Sequence, residues 1–491
     1  MANGHCGCIH VGRRDFIRTT ALAGMATALP EAMAQTAAGV RRRTYAGNKR
    51  KLLLLSDAPE SYERLIQAVK AVREFEFSVV TARADYQKPQ EVTRIIRAED
   101  PDILFFGLPR TMLNAGNLPV ALDPIDVPMI LLPPVPELIM MEANAAAGFR
   151  VKGANALLAN SEAHAIELMK ILAAPRLLEG KRAVIYGRPF DSSSVPSRDL
   201  TAEMIYNRTG VRLEHRPVEQ LADLLGGVSA ADARGEMERW KREAAAVVEP
   251  TDDVLLEASR MYVLLRSIVE KEGLAGLSID CLSFSFDAKR KVPVPCLAFT
   301  RLRDEGYAFP CEADVCGMLT TIVLQEISRK PSYFCNVSSV DLEKSRTVLR
   351  HCVAPLRLLG REAPALPYKL RDYHGMGGVT PQVSFPAGLE VTLGGFSKDL
   401  GTFVAWPGRT REGIDDTAQP SFENPPAGME KMRRYCSNRV ELEVRDADVF
   451  LQKIMGIHHV MVAGVYTKAL REEMMRMNVD FIGPIDSSSP A

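Results

Sequence analysis

Uncharged, strand-like runs at residues 52–55, 78–81, 103–107 and 129–132, with amphipathic stretches at 62–72 and 91–97 between them, constrain this chain more than any other feature. A strand that is apolar on both sides must be covered on both faces, and the amphipathic stretches supply helices for that cover. The pattern predicts a parallel sheet with helices on either side. Prolines at 133, 134 and 136 end the unit with a stiff turn. A second α/β unit is predicted to open at residues 182–186, after the helix stop at Gly180. It continues through a helix after Pro196-Ser197, an extended piece near 211–213 and long helices to about Glu272, and returns to a strand-like run at 277–282.

From about Ser332 the pattern changes to short β-like runs punctuated by Gly and Pro, at 333–337, 379–385, 389–395, 402–406 and 439–444. That spacing predicts an antiparallel barrel or sandwich, interrupted by a loop at 412–429. A strand-like run at 457–462, a helix at 467–477 and a last run at 479–482 close the chain.

Ahead of these units, Arg13-Arg14-Asp15-Phe16-Ile17-Arg18 is followed by a small, mildly apolar run at 19–29 and by Ala32-Met33-Ala34. Charged, apolar and cleavable regions in that order read as a twin-arginine signal peptide over residues 1–34. The expected partner is then the twin-arginine translocase, and the expected location periplasmic or extracellular. The apolar run falls short of the ~20 residues that span a bilayer, so no permanent membrane anchor is expected. Lys+Arg and Asp+Glu are equal at 61 each, so no global charge recruits nucleic acid. The basic residues 41–43 and 49–51 read as a solvated leader. Neither GxGxxG nor GxxxxGK[ST] occurs, which removes the amide-lined phosphate cradle of a dinucleotide or P-loop site. Of nine cysteines, Cys6 and Cys8 precede the signal core, and the seven that remain include no CxxC pair. They read as small buried residues, with one or two disulfides formed after export as the alternative.

Chemistry concentrates around Cys311-Glu312-Ala313-Asp314-Val315, ahead of a helical stretch at 318–327. Carboxylates two apart at a strand end share a face, where they can hold a divalent cation or act as acid and base. They can equally cap the following helix. Histidines His351, His374, His458 and His459 lie in the last third of the chain. Adjacent residues on a strand face opposite ways, so only one of His458 and His459 can reach a given site.

At these residues the chain resembles the L-fucose isomerase and L-arabinose isomerase superfamily of metal-dependent aldose–ketose isomerases. The matching blocks are Pro295-Cys296-Leu297-Ala298 with Asp304-Glu305-Gly306, the Cys311 to Val315 segment, Pro331 onward to Asp341, Arg350 to Leu356, and Gly456-Ile457-His458-His459-Val460. The resemblance implies an α/β fold in which two N-terminal α/β (Rossmann-like) units, at 48–175 and 176–330, precede a C-terminal antiparallel β-barrel-like domain at 331–491. It implies Mn²⁺ or another divalent cation held by Glu312, Asp314, His459 and His351, with catalytic roles for Asp314, Glu312 and Asp287. His374 and His458 are expected to bind substrate. The chain departs from the family's pattern at two places: Asp287 stands in for a family glutamate, and Asp372-Tyr373-His374-Gly375-Met376 has no carboxylate at another. The expectation is an exported, divergent sugar isomerase, a homo-oligomer by resemblance, acting on a small carbohydrate through an enediol. The alternatives are an exported carbohydrate-binding or non-isomerising relative on the same scaffold, and an interaction protein that keeps the family blocks only for packing.

Overall fold

The structure, a computed structural model, describes residues 47–108, 118–132, 139–189, 201–285, 292–411 and 436–484. The signal segment, the 133–136 turn, the 412–429 loop and Asp287 lie outside the described residues.

In the first unit β1 (Lys49–Ser56), β2 (Glu76–Arg83), β3 (Ile103–Gly107), β4 (Met129–Leu132) and β5 (Ala156–Leu158) form a parallel sheet in the order β2-β1-β3-β4-β5. Alternation along β1 and β3 sends Leu53, Leu55, Leu104 and Phe106 to one core layer and Leu52, Leu54, Ile103 and Phe105 to the other. Helices cover both layers. In Glu63–Lys70 the buried pair Leu65 and Val69 is four apart, and Pro89–Glu99 opens on a proline and buries Val92 and Ile96.

The second unit is smaller. β6 (Arg182–Tyr186), β7 (Arg212–Arg216) and β9 (Gly276–Ile279) pair in the order β7-β6-β9, while β8 (Ala246–Val247) leaves this sheet to pair elsewhere. Gly276 bridges to Ala308, which carries the chain along the β9 edge towards the Cys311 segment. The expected run at 277–282 stops early: after Ile279 the chain turns, and Leu282–Ser285 is a single helical turn.

The remaining strands are β10 (Tyr333–Asp341), β11 (Arg346–His351), β12 (Tyr368–Arg371), β13 (Thr380–Val383), β14 (Glu390–Phe396), β15 (Thr402–Thr410), β16 (Asn438–Val444), β17 (His458–Ala463) and β18 (Asp480–Ile482). Six of them close as β14-β17-β10-β11-β16-β15 and back to β14, an antiparallel barrel, with β18 added parallel to β15. β12, which the sequence reading passed over, forms a small sheet with β13 and β8.

Period-two alternation sorts the barrel's side chains. Leu349, Leu393, Trp406, Leu442, Met461 and Ala463 belong to one core, whereas Phe334, Phe403, Val460 and Val462 join the core of the second α/β unit. The apolar Val315–Ser328 helix, buried along nearly its whole length, belongs to that second core. Its N-terminus therefore opens where the second sheet meets the barrel wall. Among the described residues no helix is long and apolar enough to cross a membrane.

Candidate metal centre

The Cys311 segment is held from behind by a buried arginine. Arg303, on the Cys296–Asp304 helix, is fully buried; its Nε and Nη2 donate to the Phe309 carbonyl at 2.8 and 2.6 Å, and its Nη1 to the Val353 carbonyl at 3.0 Å. One guanidinium thus ties the turn carrying Glu312 to the chain just after β11, which ends at His351. Glu312 and Ala313 both adopt the left-handed region, φ 64° and 56°, so they form a turn and not the strand end expected from their spacing. Such conformations cost on the order of 1–3 kcal/mol each for non-glycine residues and persist where the surroundings impose them.

Asp314 caps the Val315–Ser328 helix: its Oδ1 accepts from the Gly317 amide at 2.6 Å. Its Oδ2 accepts from His458 Nδ1 at 2.7 Å. The cap on one carboxylate oxygen thus leaves the other free to hold His458. With Nδ1 donating, His458 presents Nε2 to Glu312 Oε2 at 3.3 Å, and His351 presents Nε2 to Glu312 Oε1 at 3.6 Å. The Phe334 ring packs on both imidazoles, with centroids 4.6 Å from His458 and 5.1 Å from His351.

Glu312, His351 and His458 offer ligand atoms all within 4.8 Å of one another. Atoms that share one ion at about 2.0–2.2 Å sit roughly 3.0–3.6 Å apart, so 3.3 and 3.6 Å suit a common cation better than hydrogen bonds. Neither ring nitrogen of buried His351 completes a hydrogen bond. Burial opposes ionisation of Glu312, but His351 and His458 outweigh it and hold the carboxyl well below the usual range. Burial would lower both histidines; Cys311 and Glu312 instead raise His351 to about 10, and Asp314 and Glu312 raise His458 to about 9. Without an ion both imidazoles are thus held protonated against Glu312; a divalent cation could displace those protons and be held by this carboxylate and imidazole set, with Asp314 orienting one ligand from behind.

The neighbouring histidine is not brought to this cluster. His459, expected as the ligand of the pair, lies on the face of β17 shared with Met461 and Ala463, and its ring edge packs where a Cβ on Gly395 would stand. Burial lowers its pKa to about 4. His458, expected to bind substrate, takes the place beside Glu312, because it shares the face of Val460 and Val462. His374 also lies apart, with its Nε2 3.0 Å from Cys352 Sγ.

The sequence reading missed Asp280. It follows β9, where it lines a cleft of about 950 Å³ together with Gly187 and Arg216, which lie at the carboxyl ends of β6 and β7. Clefts at the carboxyl ends of parallel strands are where open α/β sheets take ligands, and that rule would have pointed to Asp280. Its carboxylate accepts from the Arg188 and Ser283 amides at 3.3 Å each. Burial, with the nearby Glu312 charge adding to it, pushes its pKa up.

No family model matches the chain. A stretch of 121 residues is 22% identical to the sulfoquinovose isomerases of Priestia aryabhattai and Priestia megaterium, covering 24% of this chain and 26% of each relative. The match therefore spans about a quarter of the length of those curated relatives. It is a distant similarity to a sugar isomerase and not to the L-fucose and L-arabinose isomerases as such.

Proposed function

We propose that this protein is a metal-dependent aldose–ketose isomerase of the L-fucose and L-arabinose isomerase type, exported through its twin-arginine signal. The observation that carries the reading is the convergence of His351 Nε2 and His458 Nε2 on the two oxygens of Glu312, whose charge also reaches Asp280. The distant match to sulfoquinovose isomerase supports it. Glu312, His351 and His458 would hold Mn²⁺ or a similar ion, which supplies Lewis-acid polarisation of a carbonyl and its adjacent hydroxyl. Asp314 holds the proton on His458 Nδ1, so that the proton displaced by the ion would be the one on Nε2.

Asp280 is the acid–base group in this scheme. Its carboxylate takes the proton from the carbon next to the substrate carbonyl and returns it to the former carbonyl carbon, while a hydroxyl proton passes between the two oxygens, by way of an enediol. A raised pKa suits that exchange. Glu219, Asp223 and Asp280 give the cleft acceptors for the hydroxyls of a neutral sugar. The test is a ketose-formation screen over aldoses with added Mn²⁺, on wild type, Glu312→Gln and Asp280→Asn. Turnover abolished in both variants, with Mn²⁺ binding lost only in Glu312→Gln, is the expected outcome. Sugar binding without turnover in wild type would make this a binding protein on the same scaffold.

A further inference from the structure

A second cluster lies beside the first and is built from different chemistry. Cys352 follows β11, His374 lies in the turn after β12, and Cys436 precedes β16, so distant stretches of chain meet at one point. Cys352 Sγ is 3.0 Å from His374 Nε2 and 3.5 Å from Cys436 Sγ, and all three ligand atoms lie within 4.8 Å of one another. The sulfurs are far from the bonded separation of about 2.05 Å, so the pair is not a disulfide. Zn–S distances near 2.3 Å and Zn–N distances near 2.0–2.1 Å put tetrahedral S···N and S···S pairs roughly 3.6 and 3.8 Å apart, so these contacts need open by only about 0.3–0.6 Å to admit the ion.

The backbone supports a ligand role for His374. The residue is 5% exposed, and its φ of 53° places a bulky side chain in the left-handed region, at the head of a turn whose Gly375, Gly377 and Gly378 also have positive φ. That strained turn holds the imidazole against a thiol. We propose that Cys352, His374 and Cys436 bind a thiophilic d¹⁰ cation, Zn²⁺, at a three-ligand site distinct from the Glu312 centre. Two thiols and an imidazole select a softer ion than one carboxylate and two imidazoles, so the neighbouring centres sort metals by ligand type. Because His351 and Cys352 are consecutive, an ion on Cys352 also pins the segment that presents His351 to Glu312.

The proposal does not depend on the isomerase reading, and one probe separates them. Cobalt(II) titrated into the reduced full chain should give a near-ultraviolet thiolate-to-cobalt charge-transfer band, which carboxylate and imidazole ligands cannot produce. The band is expected to persist in His458→Ala and to vanish in Cys352→Ser and in Cys436→Ser. Zn²⁺ affinity, read by competition with a chromophoric chelator, should fall by more than about 100-fold in the same two variants, beyond what loss of an orienting partner alone costs. Far-UV circular dichroism checks that each variant is folded, and the wild-type band is itself decisive. A reduced, folded wild type that gives no band would overturn the proposal. So would a band that survives both serine substitutions, or a Cys352–Cys436 disulfide found by peptide mapping of protein isolated without reductant.

Discussion

A single residue step decides which histidine faces Glu312. His458→Ala should abolish high-affinity Mn²⁺ binding, whereas His459→Ala should leave it near wild type and cost ~1–3 kcal/mol through a cavity beside Gly395, read by calorimetric titration and by denaturant unfolding. The reverse order of metal losses would return the ligand role to His459. Asp314→Asn is informative for a related reason: asparagine caps a helix as well as aspartate, so stability should hold while metal affinity drops about 10–100-fold. That one of the pair reaches the site was legible in the sequence, but which one depends on which barrel face meets the α/β unit, a tertiary fact. Asp304 shows a buried carboxyl outside the site. Its Oδ1 accepts from the Arg357 amide at 2.9 Å, its Oδ2 has no hydrogen-bond partner, and burial raises its pKa to about 7. Between the ordinary aspartate value of 3.8 and about 7 the native state binds the extra proton, so stability falls as pH rises through that window. Asp304→Asn should therefore be more stable than wild type by a few kcal/mol at pH 8 and equal to it near pH 4, as measured by urea unfolding. Parallel curves for the two proteins would mean that Asp304 ionises normally in the fold.

At the level of elements, the apolar strands of the first unit and the closing helix Thr467–Met477 were readable from periodicity because their burial is locally encoded. Short β12 was not, since it has only four residues and one of its two partners, β8, lies far back in the chain. The cysteines tell the same story: reading them as small buried residues agrees with the burial of six of the seven described, yet the meeting of Cys352 with Cys436 spans 84 positions that no motif encodes. The Val315–Ser328 helix approaches the barrel so closely that a Cβ on Gly317 would stand 2.3 Å from the Phe334 ring. Within a helix Gly→Ala normally stabilises by about 0.5–1 kcal/mol. Here the added methyl drives Phe334 against His351 and His458, and overpacking of that kind costs about 1–3 kcal/mol. Gly317→Ala should thus lower thermal stability and weaken metal binding together, and adding Phe334→Leu should recover part of the stability. A Gly317→Ala protein more stable than wild type would show that the helix can back away from the barrel wall.

In the whole molecule, the helix after β17 holds the first α/β unit to the rest. Glu473, fully buried, accepts from the Leu177 amide at 2.7 Å and from Arg476 Nη1 at 2.7 Å, while Arg476 Nε donates to the Ile171 carbonyl at 2.9 Å. Asn155 and Asn478 add bonds across the same junction, to the carbonyls of Met475 and Gly153 at 2.8 and 3.1 Å. Burial pushes the Glu473 carboxyl up against the pull of Arg476, so its ionised form depends on that partner. Removing the carboxylate leaves the Arg476 charge and the Leu177 amide without their acceptor, a loss of about 3–5 kcal/mol for a buried pair broken on one side. The loss falls on the junction and not on the barrel. Glu473→Ala should therefore speed amide hydrogen exchange in β1, β3 and β4 while leaving β10, β11, β16 and β17 protected, and Glu473→Gln, which keeps an acceptor for Leu177, should do so less. Equal acceleration in both sets of strands would mean that the first unit and the barrel unfold as one cooperative body, with the Glu312 cluster open to solvent whenever either is lost.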